Sequence, residues 1–147
     1  MLRFSNILCP VDFDQNSLAA VSVAAELARE HKATVHLLHV LPPAIREAFS
    51  CGEMESEART NLQRIGHQKL KTGTSYELHV ATGEPAIEVL QAATRLGIDL
   101  IVMATHGRTG VRRLVLGSVA ERVVREAQCP VLTVKSKAGT TASRGTD

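Results

Sequence analysis

The stretch ATHGRTGVRRLVLGS, Ala104 to Ser118, concentrates the residue types best suited to chemistry in this sequence. Gly107, Gly110 and Gly117 can take positive φ and let a backbone approach a ligand closely. Gly117-Ser118 stands where a helical pattern begins. Free N–H groups and the positive end of the helix dipole favour an anion there. The Ser118 hydroxyl adds a donor. His106 and Arg108 can lend charge to phosphates, or they can be solvated loop residues. Arg112 and Arg113 can simply keep a loop soluble. Two readings stand side by side: a phosphate cradle, or a surface loop with glycine hinges.

Asp12 is the second candidate. It closes the apolar run SNILCPV and could accept from a ribose hydroxyl or an adenine amine. It could equally cap the following helix or stabilise its start by charge. Asp14 is the better placed cap. Other signatures are missing. No GxxxxGK[ST] occurs, and no GxGxxG follows the first strand, so neither a P-loop nor a dinucleotide site is expected. The six histidines have no HExxH or similar spacing, so no protein-held metal is expected. No residue is a recognisable base for water attack. A phosphoacceptor receiver domain would need a second acid after strand three, where the chain reads VATG.

The elements that must position these residues alternate along the chain. Strands are predicted over 5–11, 33–41, 75–82, 99–105 and 131–135. Helices are predicted over 17–31, 53–71, 83–97 and 118–127. Leu18, Val21, Ala25 and Ala28 form the stripe of the first helix. Met54, Ala58, Leu62 and Ile65 form that of the second, which Gly66 weakens. Pro85 suits the first turn of the third helix, and Gly97 its end. Val119, Ala120, Val123, Val124 and Ala127 make one face of the last. Such β-α alternation predicts an α/β fold: an open five-stranded parallel sheet with helices on both faces, Rossmann-like. Ligands in such sheets bind beyond the carboxyl ends of the strands, where strand order reverses. Asp12 and the glycine-rich stretch both fall at strand ends. The connection after strand four is about twice the usual few residues, and long loops are often functional.

Bulk properties narrow the classes. At 147 residues the chain suits one domain, here 1–135, with 136–147 a polar tail expected to be disordered. Aromatic content of 3% means an aliphatic core and denies single-stranded nucleic acid its stacking platforms. A net charge of +2 gives no electrostatic reason for a nucleic-acid or membrane-surface partner. No run reaches membrane-spanning length and no signal peptide is recognisable, so a cytoplasmic protein is expected. Cys9 and Cys129 read as small buried hydrophobes. Cys51, in a predicted loop, is the candidate for a reactive thiol.

With these residues read, the sequence resembles the universal stress protein family in its ATP-binding type, across nearly the whole chain. NILCPVDFDQNS, ATVHLLHVL, ATGEPAIEVL and DLIVMATHGRTGVRRLVLGSVAERVVREAQCPVLTV carry the resemblance. That type has the pattern Gly-x2-Gly-x9-Gly-Ser/Thr. Gly107, Gly117 and Ser118 match it, and Ala104 stands where the first glycine would be. The resemblance implies an adenine nucleotide α-hydrolase-like fold that binds ATP, with or without Mg2+. Pro10, Val11 and Asp12 would line the adenine and ribose end, and Val40 would lie against adenine. Met103 and Ala104 would border the sugar. Gly107, Gly117, Ser118 and Val119 would hold the phosphates, with Arg108 in support. It also implies a homodimer through the last strand, Val131–Val134. Enzymatic members of the wider group carry an SGGxDS-type loop after strand one, and PVDFDQNS is not one. Any hydrolysis should be slow. The alternative is a dimeric interaction module of the same fold that binds no nucleotide, for which Ala104 is the residue evidence.

Overall fold

A computed structural model of the chain describes residues 2–43, 51–106 and 116–135. Among these described residues nine elements alternate: β1 (Asn6–Pro10), α1 (Gln15–His31), β2 (Thr34–Leu41), α2 (Cys51–Lys69), β3 (Tyr76–Thr82), α3 (Pro85–Arg95), β4 (Leu100–Ala104), α4 (Ser118–Glu126) and β5 (Val131–Val134). The strands form one sheet in the order β3-β2-β1-β4-β5, and every neighbouring pair is parallel. The α/β expectation holds. Cys51 opens α2 rather than lying in a loop; its side chain, like the tail 136–147, is outside the described residues.

The alternation of side chains along each strand divides the core into two layers. Ile7 and Cys9 of β1, with Val35 and Leu37 of β2, face Ala20, Val21 and Ala24 of α1 and Leu62 of α2. Leu8, Leu38, Ile101 and Met103 face Val89 and Ala92 of α3 and Ala120 and Val123 of α4. The central strands are apolar on both sides because helices cover both. In α1 the buried face centres on Val21, Ala24 and Ala28; Leu18 and Ala25 sit at its margin. Val124 is a correction: it lies on the predicted face of α4 but is 44% exposed, because α4 meets the sheet along Ala120 and Val123.

Local signals act as read. The Asp14 carboxylate caps α1 by accepting the Ser17 N–H at 2.9 Å. Pro85 opens α3, and Gly97 follows it with φ +63°. The Asp99 carboxylate accepts the N–H groups of Ser5 and Asn6 at 2.8 and 3.1 Å, which ties the start of β1 to β4.

Gly66 has a reason that helix propensity hides. A Cβ built there would lie 2.6 Å from Cε2 of Tyr76, whose ring packs on the same core layer. Gly66→Ala would ordinarily stabilise a helix by about 1 kcal/mol. Here it is expected to destabilise by about 1–2 kcal/mol, the cost of displacing the ring. Urea denaturation of the variant checks the sign.

Candidate functional site

The sheet opens between β1 and β4. The β1–β2 register runs to Pro10↔Leu38, and the β4–β5 register to Ala104↔Val134. Pairing between β1 and β4 stops at Leu8↔Ile101. Continued pairing would set Cys9 against Val102 and Pro10 against Met103, and neither pair forms. Here strand order reverses, since β2 and β3 extend one way and β4 and β5 the other. The crevice at such a switch point is where open α/β sheets bind ligands.

One wall of the crevice is the turn after β1. Asp12 Oδ1 accepts the Ser17 hydroxyl at 2.8 Å and the Asp14 N–H at 3.3 Å. Ser17 is buried, so this network fixes the carboxylate at the mouth of the crevice. Asp12 therefore does not cap α1; Asp14 does. Burial raises the pKa of Asp14, and the neighbouring Asp12 adds to the rise. Phe13 between them takes φ +67°, a left-handed conformation that costs a non-glycine residue about 1 kcal/mol. Its ring packs on His39, with centroids 4.3 Å apart. His39 donates Nδ1–H to the Val11 carbonyl at 2.7 Å. The turn is thus held at both ends, as strained turns must be to persist.

The other wall comes from β4 and the start of α4. The Gly117 N–H donates to the Thr105 carbonyl at 2.6 Å, which docks the helix start on the end of β4. Gly117 is the N-cap and supplies no side-chain hydrogen bond. Among the described residues no side chain accepts from the leading N–H groups of α4, the condition under which a helix start takes an anion.

The predicted residues fall into three groups. Asp12, Pro10, Val40, Ala104, Gly117, Ser118 and Val119 lie at the carboxyl ends of β1, β2 and β4 or at the start of α4, and each is at least partly exposed. Val11 and Met103 are at the same ends, but their side chains are 3% and 5% exposed and belong to opposite core layers. Val11 could meet a ligand only through its backbone. Gly107 and Arg108, with Gly110, Arg112 and Arg113, lie outside the described residues. Burial lifts the Cys9 thiol to about 12, so it stays protonated and inert beside the crevice. Burial, then the charge of Asp99, raises Cys129 as well.

The Universal stress protein family model matches residues 3–135. The chain belongs to that family. Universal stress protein MJ0531 of Methanocaldococcus jannaschii is 34% identical over 140 residues, covering 90% of this chain and 82% of that protein. The solved structure of MJ0577, from the same archaeon, superposes with a TM-score of 0.81 at 26% identity, over 91% of this chain and 97% of that one. A universal stress protein from Archaeoglobus fulgidus, solved in complex with dAMP, has a TM-score of 0.65 at 23% identity, covering 92% of this chain and all of that one. At that identity the likeness is one of fold.

Sequence reasoning missed several residues of this universal stress protein. Phe13, His39 and Thr105 shape the crevice, and no local pattern marks them. Ser17, whose hydroxyl holds Asp12, is another. A separate cluster also went unseen: His36 of β2 and Glu77 and His79 of β3, on one face of the sheet. Burial lowers the pKa of His36. Burial, then the neighbouring His36, lowers that of His79.

Proposed function

We propose that this universal stress protein binds ATP, with or without Mg2+, in the β1–β4 crevice as a regulatory or slowly hydrolysed ligand of a cytoplasmic stress response. The observation that carries the reading is the start of α4, which no side chain among the described residues caps. It is docked by Gly117 on Thr105, across the crevice from the fixed carboxylate of Asp12. The backbone N–H groups from Ser118 onward and the Ser118 hydroxyl would take the phosphates, with Gly107 and Arg108 in support. Asp12 would accept from the ribose. Val40 and Pro10 would line the adenine. Mg2+ would arrive on the phosphates. A universal stress protein of the same fold has been solved in complex with dAMP, an adenine nucleotide.

Hydrolysis should be slow. Asp12 Oδ1 already accepts two hydrogen bonds, which suits an anchor better than a base. Turnover should fall below about 1 per second. The exposed edge strand β5 carries Leu132, 40% exposed, and would pair with a second copy over Val131–Val134. Sedimentation of the full chain reads that state directly.

Ala104 favours the second reading, an interaction module without nucleotide, because its methyl sits at the end of β4 where the family pattern has glycine. Calorimetric titration with ATP, with and without Mg2+, separates the two. A Kd of about 1 mM or tighter supports the site. Binding that appears only in Ala104→Gly would establish the second reading instead.

A further inference from the structure

We propose that His36, Glu77 and His79 form a binding site for a divalent transition metal of the zinc class, joining edge strand β3 to β2. One ligand atom from each residue lies within 4.8 Å of the other two. The register explains the grouping. His36 pairs with Glu77 and Leu38 with His79, so the two histidines meet diagonally on the face that also carries Leu8 and Leu38. His36 and Glu77 lie early in β2 and β3 and His79 at the middle of β3, away from the carboxyl ends that border the crevice.

The donor set fits the ion. His36 Nδ1 and His79 Nε2 are 3.0 Å apart. Two nitrogens at about 2.0–2.1 Å from a tetrahedral zinc lie about 3.3 Å apart, so a small spread of the rings admits it. The second nitrogen of His36, Nε2–H, donates to Asn6 Oδ1 at 3.1 Å. That bond leaves the Nδ1 lone pair of the buried His36 facing His79, the orienting role played around metal-bound histidines. Without the ion, His79 Nε2–H donates to His36 Nδ1; on binding, the ring changes tautomer by exchange with solvent, so that the proton sits on Nδ1 of His79 and the ring stays neutral. Burial keeps both rings toward the neutral, ligating form. Glu77 is exposed on the edge strand and can swing its carboxylate inward, so the ion would enter from that side and keep a water as fourth ligand. Two imidazoles and a carboxylate suit zinc, cobalt or nickel rather than magnesium or calcium.

The site owes nothing to the nucleotide. Its test is titration of the tag-free full chain with Zn2+ alone, followed by calorimetry and by thermal unfolding. One ion per chain is expected, with Kd in the micromolar range or tighter and a melting temperature several degrees higher at saturating metal. Chelation should reverse the shift. The Co2+ form should show the strong visible absorption of a four-coordinate ion. His79→Gln and Glu77→Gln replace half-buried and exposed residues, so they should fold and yet weaken binding by about 10–100-fold. His79→Gln binding Zn2+ as tightly as the parent would mean that the cysteines or other histidines hold it, and the proposal falls. No one-to-one binding by the parent at 100 μM Zn2+ also overturns it.

Discussion

Ser118→Pro is expected to weaken ATP binding by more than about 100-fold while leaving stability within about 0.5 kcal/mol of the parent. Proline is tolerated at the first helical position, where the N–H it lacks has no intrahelical partner. It also restricts the residue before it to extended backbone. Gly117 already has φ −69° and ψ 169°, so the fold concedes nothing. The Gly117 N–H keeps its bond to Thr105. What disappears is one backbone donor and one hydroxyl at the proposed phosphate position. Charge-assisted hydrogen bonds are worth about 1.5–3 kcal/mol each, and about 1.4 kcal/mol is tenfold in affinity. Calorimetry and a thermal melt on the same sample read the two halves. Unchanged affinity would move the phosphates away from the start of α4; a collapsed melt would mean that the helix start carries more of the fold than its bonds imply.

Leu8→Ala is expected to cost about 3–5 kcal/mol, against a total stability of about 5–15 kcal/mol for a domain of this size. Leu8 is fully buried in the middle strand of the sheet. Its neighbours in that layer, Leu38 and Ile101, stand on the flanking strands at fixed register, and Val89 and Ala92 stand on α3. Strands hydrogen-bonded on both sides cannot move inward to fill the space, so most of the cavity remains. An aliphatic core with few aromatics has no large ring nearby to swing into it. Equilibrium urea denaturation should give a lower midpoint with an unchanged slope. A loss below about 1 kcal/mol would mean that the layer relaxes freely around the gap.

The fold was largely legible because it depends on periodicity and punctuation. The strand runs, Asp14, Pro85 and Gly97 each act locally, so their sequence positions carry their meaning. Helix faces were legible to within one position, and Val124 was misjudged because helix rotation on a sheet depends on contacts the helix itself does not encode. Gly66 read as a flaw because its partner Tyr76 lies on another element.

Sequence alone determined an alternating α/β chain with Asp12 and Gly117-Ser118 at strand ends, and the family that such residues mark. Order along the chain suffices for that, since capping, helix starts and apolar alternation are set by neighbours within a few residues. Tertiary structure decided what those ends meet. The early stop of β1–β4 pairing, the docking of Gly117 on Thr105 and the approach of His36 to His79 all join residues distant along the chain. Such contacts follow from strand order and register, properties of the packed sheet that no single segment contains.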